Sequence, residues 1–197
     1  TTDPSRGVKS EQISAGFLDV QKDIALLFYS RQFVRDAKFF GGGAMDRKRN
    51  IRQYYRISRD GGKTWERRDA GIPFDDVWSL GLARSEGKVR LYAGTQPAHL
   101  FYSEDLGLTW TELPSLRFVA SVDQWSFPAP PHTAHTKFIN FDPNDSTTVY
   151  ACIEQGTLLK STDSGESWSE INTLGFYRDK TRSTELFYDT HKLVIDP

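Results

Sequence analysis

Three stretches repeat along the chain: SRDGGKTW (58–65), SEDLGLTW (103–110) and STDSGESW (161–168). All three read Ser-x-Asp-x-Gly-x-Thr/Ser-Trp. The residues of a catalytic centre usually occur once in a chain, whereas a motif with a structural role occurs once in every structural unit. A motif that recurs at intervals of tens of residues therefore predicts a repeat protein.

Short strand-like runs surround each copy. Around the middle copy, VRLYAGTQ (89–96) alternates apolar and polar residues, and turn residues separate it from the runs on either side. Each copy has four such runs, with the motif at the turn between the third and the fourth. The copies begin 45 and 58 residues apart, and the second interval contains an insertion at 115–135. A four-stranded propeller blade takes about 40–50 residues. A two-sheet sandwich would not explain a motif fixed to the same turn of every unit.

The sequence therefore predicts an all-β chain, a β-propeller of four-stranded antiparallel blades. About three blades are complete, at approximately 13–69, 77–114 and 136–172, and residues 190–197 would start a further blade. A closed propeller needs about four to eight blades. Two interpretations stay open: the chain is a fragment of a longer propeller, or two copies close a ring as a homodimer.

Composition narrows the class of protein. The 197 residues carry a net charge of −1, which argues against a nucleic-acid partner. No apolar run approaches the roughly 20 residues of a membrane span. Cys152 is the single cysteine, so the sequence predicts no internal disulfide framework and no Cys-x-x-Cys metal clip. No cofactor is expected. The compartment stays open, with a soluble cytoplasmic protein favoured.

The repeated motif predicts structural roles for its residues. The glycines suit a tight turn that needs positive φ, and the aspartates can accept hydrogen bonds from the N–H groups of the turn. The Thr or Ser hydroxyls can donate across the turn, and the tryptophans are expected to pack between neighbouring sheets. Copy by copy, the residues are Ser58, Asp60, Gly62, Thr64 and Trp65; Ser103, Asp105, Gly107, Thr109 and Trp110; Ser161, Asp163, Gly165, Ser167 and Trp168.

The motif resembles the Asp-box, or BNR repeat, of sialidase-like β-propellers. The wider stretches, over roughly 50–197, are similar to bacterial BNR-repeat proteins termed glycosyl hydrolase-like. The resemblance implies blades whose first strand lies at the central axis, and ligands that bind on the face away from the Asp-boxes. Strand 2–3 loops and blade-to-blade connections share that face, here called the loop face.

The long insertions of the chain all belong to the loop face, at 31–51, 115–135 and 173–189. Loops on a rigid scaffold are where binding sites are usually built. Imidazoles there could hydrogen-bond a ligand or transfer a proton, and a Trp could stack on a ring. The same side chains could equally pack a long loop over the propeller. The candidate ligand-binding residues are Trp125, His132, His135, His191, His99, Glu154 and Arg47.

Three of these candidates have a local context. Arg47, with Lys48 and Arg49, could meet a carboxylate or a phosphate, although a solvated loop is the favoured interpretation. His132 and His135 belong to HTAH, which could hold a metal, but no acidic or cysteine ligand set accompanies them. The sequence therefore predicts no metal site.

Two functions are compatible with these residues. One is a non-catalytic propeller that binds a glycan or a protein; the alternative is a glycoside hydrolase. The resemblance implies an Arg-Ile-Pro motif for a sialidase, and the nearest text is YRIS, with Arg56 leading into the first Asp-box and no proline. Sialidase activity is therefore not expected. A hydrolase would need two carboxylates about 5–10 Å apart, and the sequence selects no pair among Asp75, Asp76, Asp123, Glu154 and Asp189.

Overall fold

The structure is a computed structural model, and the chain divides into two compact units, Thr1–Arg68 and Asp69–Pro197. Within 11–57 the structure describes the backbone of the three strands, and side chains are described in most of the later ranges. The described residues are 11–21, 24–34, 49–58, 60, 63–64, 66–68, 70–74, 76–85, 87–127, 132–171 and 193–196.

The first unit holds one four-stranded antiparallel sheet, here blade 1. Its strands are β1 (Glu11–Gln21), β2 (Ile24–Val34), β3 (Arg49–Ser58) and β4 (Glu66–Arg67), paired in the order β1-β2-β3-β4. The insertion expected at 31–51 is shorter than the sequence suggested. The β2–β3 ladder continues past Ser30 to the pair Val34↔Arg49, so part of the expected insertion is paired strand. Arg47 lies outside the described residues.

The second unit holds two further sheets of the same topology. Blade 2 consists of β5 (Asp76–Ser85), β6 (Lys88–Gln96), β7 (Leu100–Ser103) and β8 (Thr111–Glu112). Blade 3 consists of β9 (His135–Phe141), β10 (Val149–Glu154), β11 (Leu158–Ser161) and β12 (Ser169–Glu170).

Short 3₁₀ helices at Pro114–Phe118 and Val122–Gln124 connect blades 2 and 3, and they are the only helices among the residues described. The prediction of an all-β chain built from four-stranded antiparallel blades is confirmed. In the described part of the chain, no helix has the length and apolar character required to traverse a bilayer.

The Asp-box turn is closed by hydrogen bonds within the motif. In blade 2, Asp105 Oδ1 accepts from the backbone N–H of Thr109 at 2.9 Å, and Oδ2 accepts from the Thr109 hydroxyl at 2.6 Å. The Ser103 hydroxyl donates to Asp105 Oδ1 at 2.7 Å and accepts from the Gly107 N–H at 2.7 Å. One carboxylate and one hydroxyl therefore provide hydrogen-bond partners for polar groups of the turn that would have none in a regular hairpin.

The first and third copies build the same turn. Asp163 accepts from Ser167 and Asp60 from Thr64, in each case through both the backbone N–H and the hydroxyl. Gly107 has φ +82° and Gly165 has φ +97°, the left-handed region that favours glycine. Gly62 and Trp65 lie outside the described residues.

The third Asp-box is anchored on blade 2 rather than on its own sheet alone. The Tyr92 hydroxyl donates to the Ser164 carbonyl at 3.1 Å, and the Ser115 hydroxyl donates to the Gly165 carbonyl at 2.5 Å. Ser115 also accepts from the Trp168 indole N–H at 3.1 Å. Trp168 packs against the core shared by blades 2 and 3. The third copy of the turn thus connects its hairpin to the neighbouring sheet.

The core of the second unit lies between blades 2 and 3. Blades 2 and 3 approach closely because small residues of blade 2 face larger ones of β9: a Cβ added to Gly81 of β5 would lie 2.8 Å from the Phe141 ring, and one added to Gly94 of β6 would lie 2.6 Å from Thr136 Cβ. The Ser79 hydroxyl bonds the Thr136 carbonyl at 2.7 Å. The largest fully buried side chains include Tyr92, Leu91, Leu100, Leu116, Ile153, Leu159, His135 and Val149.

Residues 193–196 lie beside blade 3. The Asn140 side-chain amide donates to the Leu193 carbonyl at 3.0 Å. Asn140 pairs with Tyr150 in blade 3, and at the equivalent position of blade 2 Gly81 pairs with Tyr92. Gly81 is also a residue of β5 that faces β9. Residues 193–196 therefore contact β9 at the same register position that β5 uses to face β9. That 190–197 start a further blade stays a prediction.

The Asp-box aspartates predict an acid-dependent loss of stability. Hydrogen bonds from Thr109, first from its hydroxyl and then from its N–H, lower the pKa of Asp105 from the ordinary 3.8 to about 2. Because the folded pKa lies below the unfolded one, this stabilisation is complete above about pH 4 and is lost as the pH falls to about 2. We expect the urea midpoint to fall across that window.

The variant Asp105→Asn isolates this contribution. It should unfold more readily than the parent at pH 7 and should show a smaller change between about pH 4 and 2, because its amide has no charge to lose. Urea titrations followed by circular dichroism at several pH values measure both. Parallel curves for the two proteins would contradict the assignment.

Candidate functional site

The first strand of every blade carries one extra residue at the same place in its ladder. In blade 1 the register shifts between Ala15 and Leu18. In blade 2 it shifts between Val77 and Ser79, which leaves Trp78 unpaired, and in blade 3 the unpaired residue is Lys137. A β-bulge of this kind turns a side chain away from the regular pleat. In blades 2 and 3 the bulge thus redirects one side chain each, Trp78 and Lys137.

The two redirected side chains of the second unit meet. Trp78 stacks on His135 with ring centroids 3.8 Å apart and an angle of 23° between the rings. The Lys137 ammonium lies 5.3 Å from the Trp78 ring centroid, within cation–π range. The edge of Phe127 meets His135 at 4.9 Å. Three aromatic rings and one cation therefore form a compact group.

Glu154 connects the polar members of this group. Its Oε2 lies 2.5 Å from His135 Nε2 and 2.7 Å from Lys137 Nζ. The His135 side chain is 0% exposed, that of Glu154 is 9% exposed, and that of Lys137 is 25% exposed. We call Trp78, Phe127, His135, Lys137 and Glu154 the Trp78 cluster. It presents a partly exposed surface of Trp78, Phe127 and Lys137 above a buried His–Glu pair.

The charge on Glu154 is fixed by its partners. Burial alone would raise the pKa of Glu154, but the hydrogen bond and the positive charge of Lys137, together with His135, outweigh burial and lower it. Glu154 is therefore a carboxylate at neutral pH. A carboxylate in this state can hold a cation or accept a hydrogen bond, but it lacks the proton that a general acid must donate.

The Trp78 cluster lies at the loop-face end of the blades. His135 is the first residue of β9, Glu154 is the last residue of β10, and Trp78 is two residues into β5. In an antiparallel meander, the start of the first strand and the end of the second lie at one edge, opposite the turn that carries the Asp-box. Phe127 reaches the cluster from the connection between blades 2 and 3.

His135 is not a loop residue, in contrast to its expected place at the end of the insertion 115–135. The strand begins at His135 because its backbone pairs with Glu154, and the imidazole is buried against Trp78. Glu154 does lie at the exit of a second strand, as expected, and contacts His135 directly. The structure thus brings two of the candidate residues together.

Among the remaining candidates that the structure describes, His132 contacts the cluster, through the backbone of Phe127. His99 pairs with Glu112, at 2.7 Å from Nδ1 to Oε1, and packs on Phe74. Trp125 is half-buried and donates to the Ser121 hydroxyl at 2.9 Å, so its indole closes the connecting loop. His132 is exposed, with Nδ1 3.0 Å from the Phe127 carbonyl. His191 lies outside the described residues.

Asp76, another of the candidate carboxylates, is the first residue of β5 and is partly buried. Asp75 and Asp189 lie outside the described residues, and Asp123 is exposed on the second 3₁₀ helix. No group of three or more His, Cys, Asp or Glu side chains in the described ranges is arranged to hold a metal ion.

Trp78 and Lys137 were missed by sequence reasoning. Both occupy β-strands whose alternation gives no sign of an inserted residue, so neither was distinguishable from an ordinary strand position. The repeat itself did contain a signal. When the first strands of blades 2 and 3 are aligned at Ser79 and Phe138 and compared with their partner strands, each has one extra residue directly before that position.

Comparison with known proteins agrees with the repeat. The BNR/Asp-box repeat family matches residues 56–67, which include the first copy of the motif. Together with the three sheets, this match supports a BNR-repeat propeller. No curated protein matches the chain.

Solved structures provide a distant likeness. One that is described as YCF48 bound to D1 peptide is 20% identical, with a TM-score of 0.38; the match covers 59% of this chain and 33% of that chain. The chain therefore spans about a third of the length of that structure.

Proposed function

We propose that the protein is a propeller-type binding module that holds a glycan or a protein ligand on its loop face, at the Trp78 cluster. The observation that carries this proposal is the Trp78 ring, stacked on a buried His135 and only partly covered. A rigid, half-exposed indole can stack on the apolar face of a sugar ring or of a side chain at low entropic cost.

The charges of the cluster favour a ligand without a net negative charge. Lys137 is 2.7 Å from Glu154, so its ammonium is already compensated by a carboxylate. A carboxylate ligand would gain little from Lys137 and would meet the charge of Glu154. A neutral, hydroxylated ligand can instead accept from the ammonium and donate to the carboxylate, which are strong hydrogen-bonding partners.

Glycoside hydrolysis is the alternative function, and Glu154 bears on it. A hydrolase needs one carboxylic acid with a raised pKa beside a carboxylate. The lowered pKa of Glu154 suits a nucleophile or a base but not the acid. A second carboxyl group would have to supply the proton, so the geometry favours binding over turnover.

Binding experiments with defined probes test the proposal. Cellobiose, lactose and chitobiose serve as neutral sugars, and an array of short peptides serves as the protein arm, each followed by calorimetry and by assay for released products. We expect saturable binding of at least one probe without turnover. Trp78→Ala should weaken that binding by roughly tenfold or more, as loss of a central aromatic contact does.

A matched control is available in the same sheet. Lys160 lies over the Tyr150 ring at 5.6 Å, an arrangement like that of Lys137 over Trp78 but in the β10–β11 pair. Lys137→Met should alter the affinity, whereas Lys160→Met should not. Equal affinity in the parent and in Trp78→Ala would remove the cluster as the site, and product release that depends on Glu154 would establish the hydrolase instead.

A further inference from the structure

A cleft opens on the other face of the second unit, between blades 2 and 3. Its volume is about 560 Å³, within the about 300–1,000 Å³ of small-ligand sites. The residues at the start of β6 form one wall, and the β9–β10 turn with the third Asp-box forms the other. It therefore lies at the end of the blades opposite the Trp78 cluster, and the proposed function does not use it.

The wall from blade 3 is held in place by hydrogen bonds. The Ser164 N–H donates to the Thr147 carbonyl at 2.8 Å, and its carbonyl accepts from the Tyr92 hydroxyl at 3.1 Å. Tyr92 is fully buried. The neighbouring Asp145 is occupied by the hydroxyls of Thr147 and Thr148. The hydroxyls of Ser146 and Ser164 therefore stand on a fixed backbone at the edge of the cleft.

The wall from blade 2 carries positive charge. Lys88 is exposed, and the Arg90 side chain is 28% exposed and stacks over Tyr102. Nε and Nη2 of Arg90 both donate to Oε1 of Glu104, at 3.1 and 2.5 Å, while Glu104 itself is 63% exposed. The described lining thus has two cations and one anion. The Glu104 contact shows that a carboxylate oxygen fits against this guanidinium.

We propose that the cleft binds a carboxylate-bearing sugar of the uronic acid class. Lys88 and Arg90 would meet the carboxylate, since guanidinium and ammonium groups form strong charge-assisted bonds to it. Ser146 and Ser164 would meet ring hydroxyls, and Val89 with Ala83 would offer an apolar contact to the C–H face of the ring. The cleft and the Trp78 cluster then differ in their ligand, acidic in the first and neutral in the second.

Glu104 acts as an internal competitor for this ligand. It is mostly exposed and meets Arg90 at the position that a ligand carboxylate would take. Removal of its charge should free the guanidinium and reduce repulsion. The variant Glu104→Gln is therefore expected to bind an acidic sugar more tightly than the parent, which no purely structural role of Glu104 would produce.

The test is a titration with digalacturonate, followed by amide chemical shifts in the full chain, with lactose as the neutral probe. We expect saturable shifts at Ser146 and Ser164. Lys88→Gln should weaken binding roughly three- to fivefold, the size of one solvent-exposed ion pair, and Glu104→Gln should strengthen it by a similar factor. Lys160→Gln, which removes one charge outside the cleft, should have no effect.

The outcomes separate this inference from the proposed function. Trp78→Ala should leave digalacturonate binding intact, whatever it does to neutral sugars. The inference is overturned by an absence of saturable binding, by equal affinity for lactose, or by affinities that ignore both Lys88→Gln and Glu104→Gln. Tighter binding of an acidic peptide than of digalacturonate in the same cleft would replace the sugar with a peptide partner.

Discussion

Replacement of Trp110 by alanine is expected to lower the free energy of unfolding by about 3–5 kcal/mol, the range for removal of a large buried aromatic side chain. Trp110 closes the second Asp-box and is only 6% exposed. The backbone of Trp110 also lies against Gly71, since a Cβ added to Gly71 would come within 2.8 Å of the Trp110 carbonyl oxygen. Because Trp110 is buried, removal of its indole leaves a cavity in addition to the lost apolar burial.

Urea denaturation followed by far-ultraviolet circular dichroism measures this effect. Leu108 offers a control within the same turn, because it is 50% exposed and Leu108→Ala should change the free energy of unfolding by less than about 0.5 kcal/mol. A loss below about 1 kcal/mol for Trp110→Ala would mean that the indole contributes little to packing. The repeated tryptophan would then need another explanation.

The Asp-box turns were predictable from the sequence because their geometry is local. Asp105 and Thr109 are four residues apart, and both of their hydrogen bonds close within the motif. Positive φ at Gly107 follows from the same turn. Because the motif repeats, the sequence also predicted one four-stranded sheet for each copy. Every copy occupies the turn between the third and fourth strands of a sheet.

The candidate site was only partly predictable because it depends on register between strands. His135 and Glu154 were selected from their positions, but their contact requires the bulge that leaves Lys137 unpaired. Trp78 is redirected by a corresponding bulge, which has no mark in the local pattern of β5. Trp125 was more conspicuous, in a long loop rich in proline, yet its indole is used to close that loop.

The cleft at the Asp-box face was not foreseen either. The expectation that ligands bind on the face away from the Asp-boxes considered each blade by itself. The cleft arises from the pairing of two blades, since Arg90 belongs to β6 and Ser164 to the third Asp-box. A surface of this kind forms only where two blades pack together, so it is not predictable from the sequence of one blade.

Replacement of Glu154 by leucine is expected to lower the free energy of unfolding by about 2–4 kcal/mol. The substitution keeps a similar volume but removes the acceptor shared by His135 and Lys137. His135 is fully buried, so its Nε2 loses this partner out of reach of water, and unpaired buried polar groups are costly. We expect the loss of unfolding free energy to lie in the lower part of this range, because the Lys137 side chain is 25% exposed and can turn toward solvent.

A double variant distinguishes charge pairing from packing. If the loss arises from an uncompensated Lys137, then Glu154→Leu with Lys137→Met should be more stable than Glu154→Leu alone, by about 1 kcal/mol. Glu104→Leu is the surface control, since its partner Arg90 is solvent-screened and the expected change is below about 1 kcal/mol. An equally small change for Glu154→Leu would show that the His135–Glu154–Lys137 group is screened by water. The Trp78 ring would then lack the rigid support that the proposed ligand stacking requires.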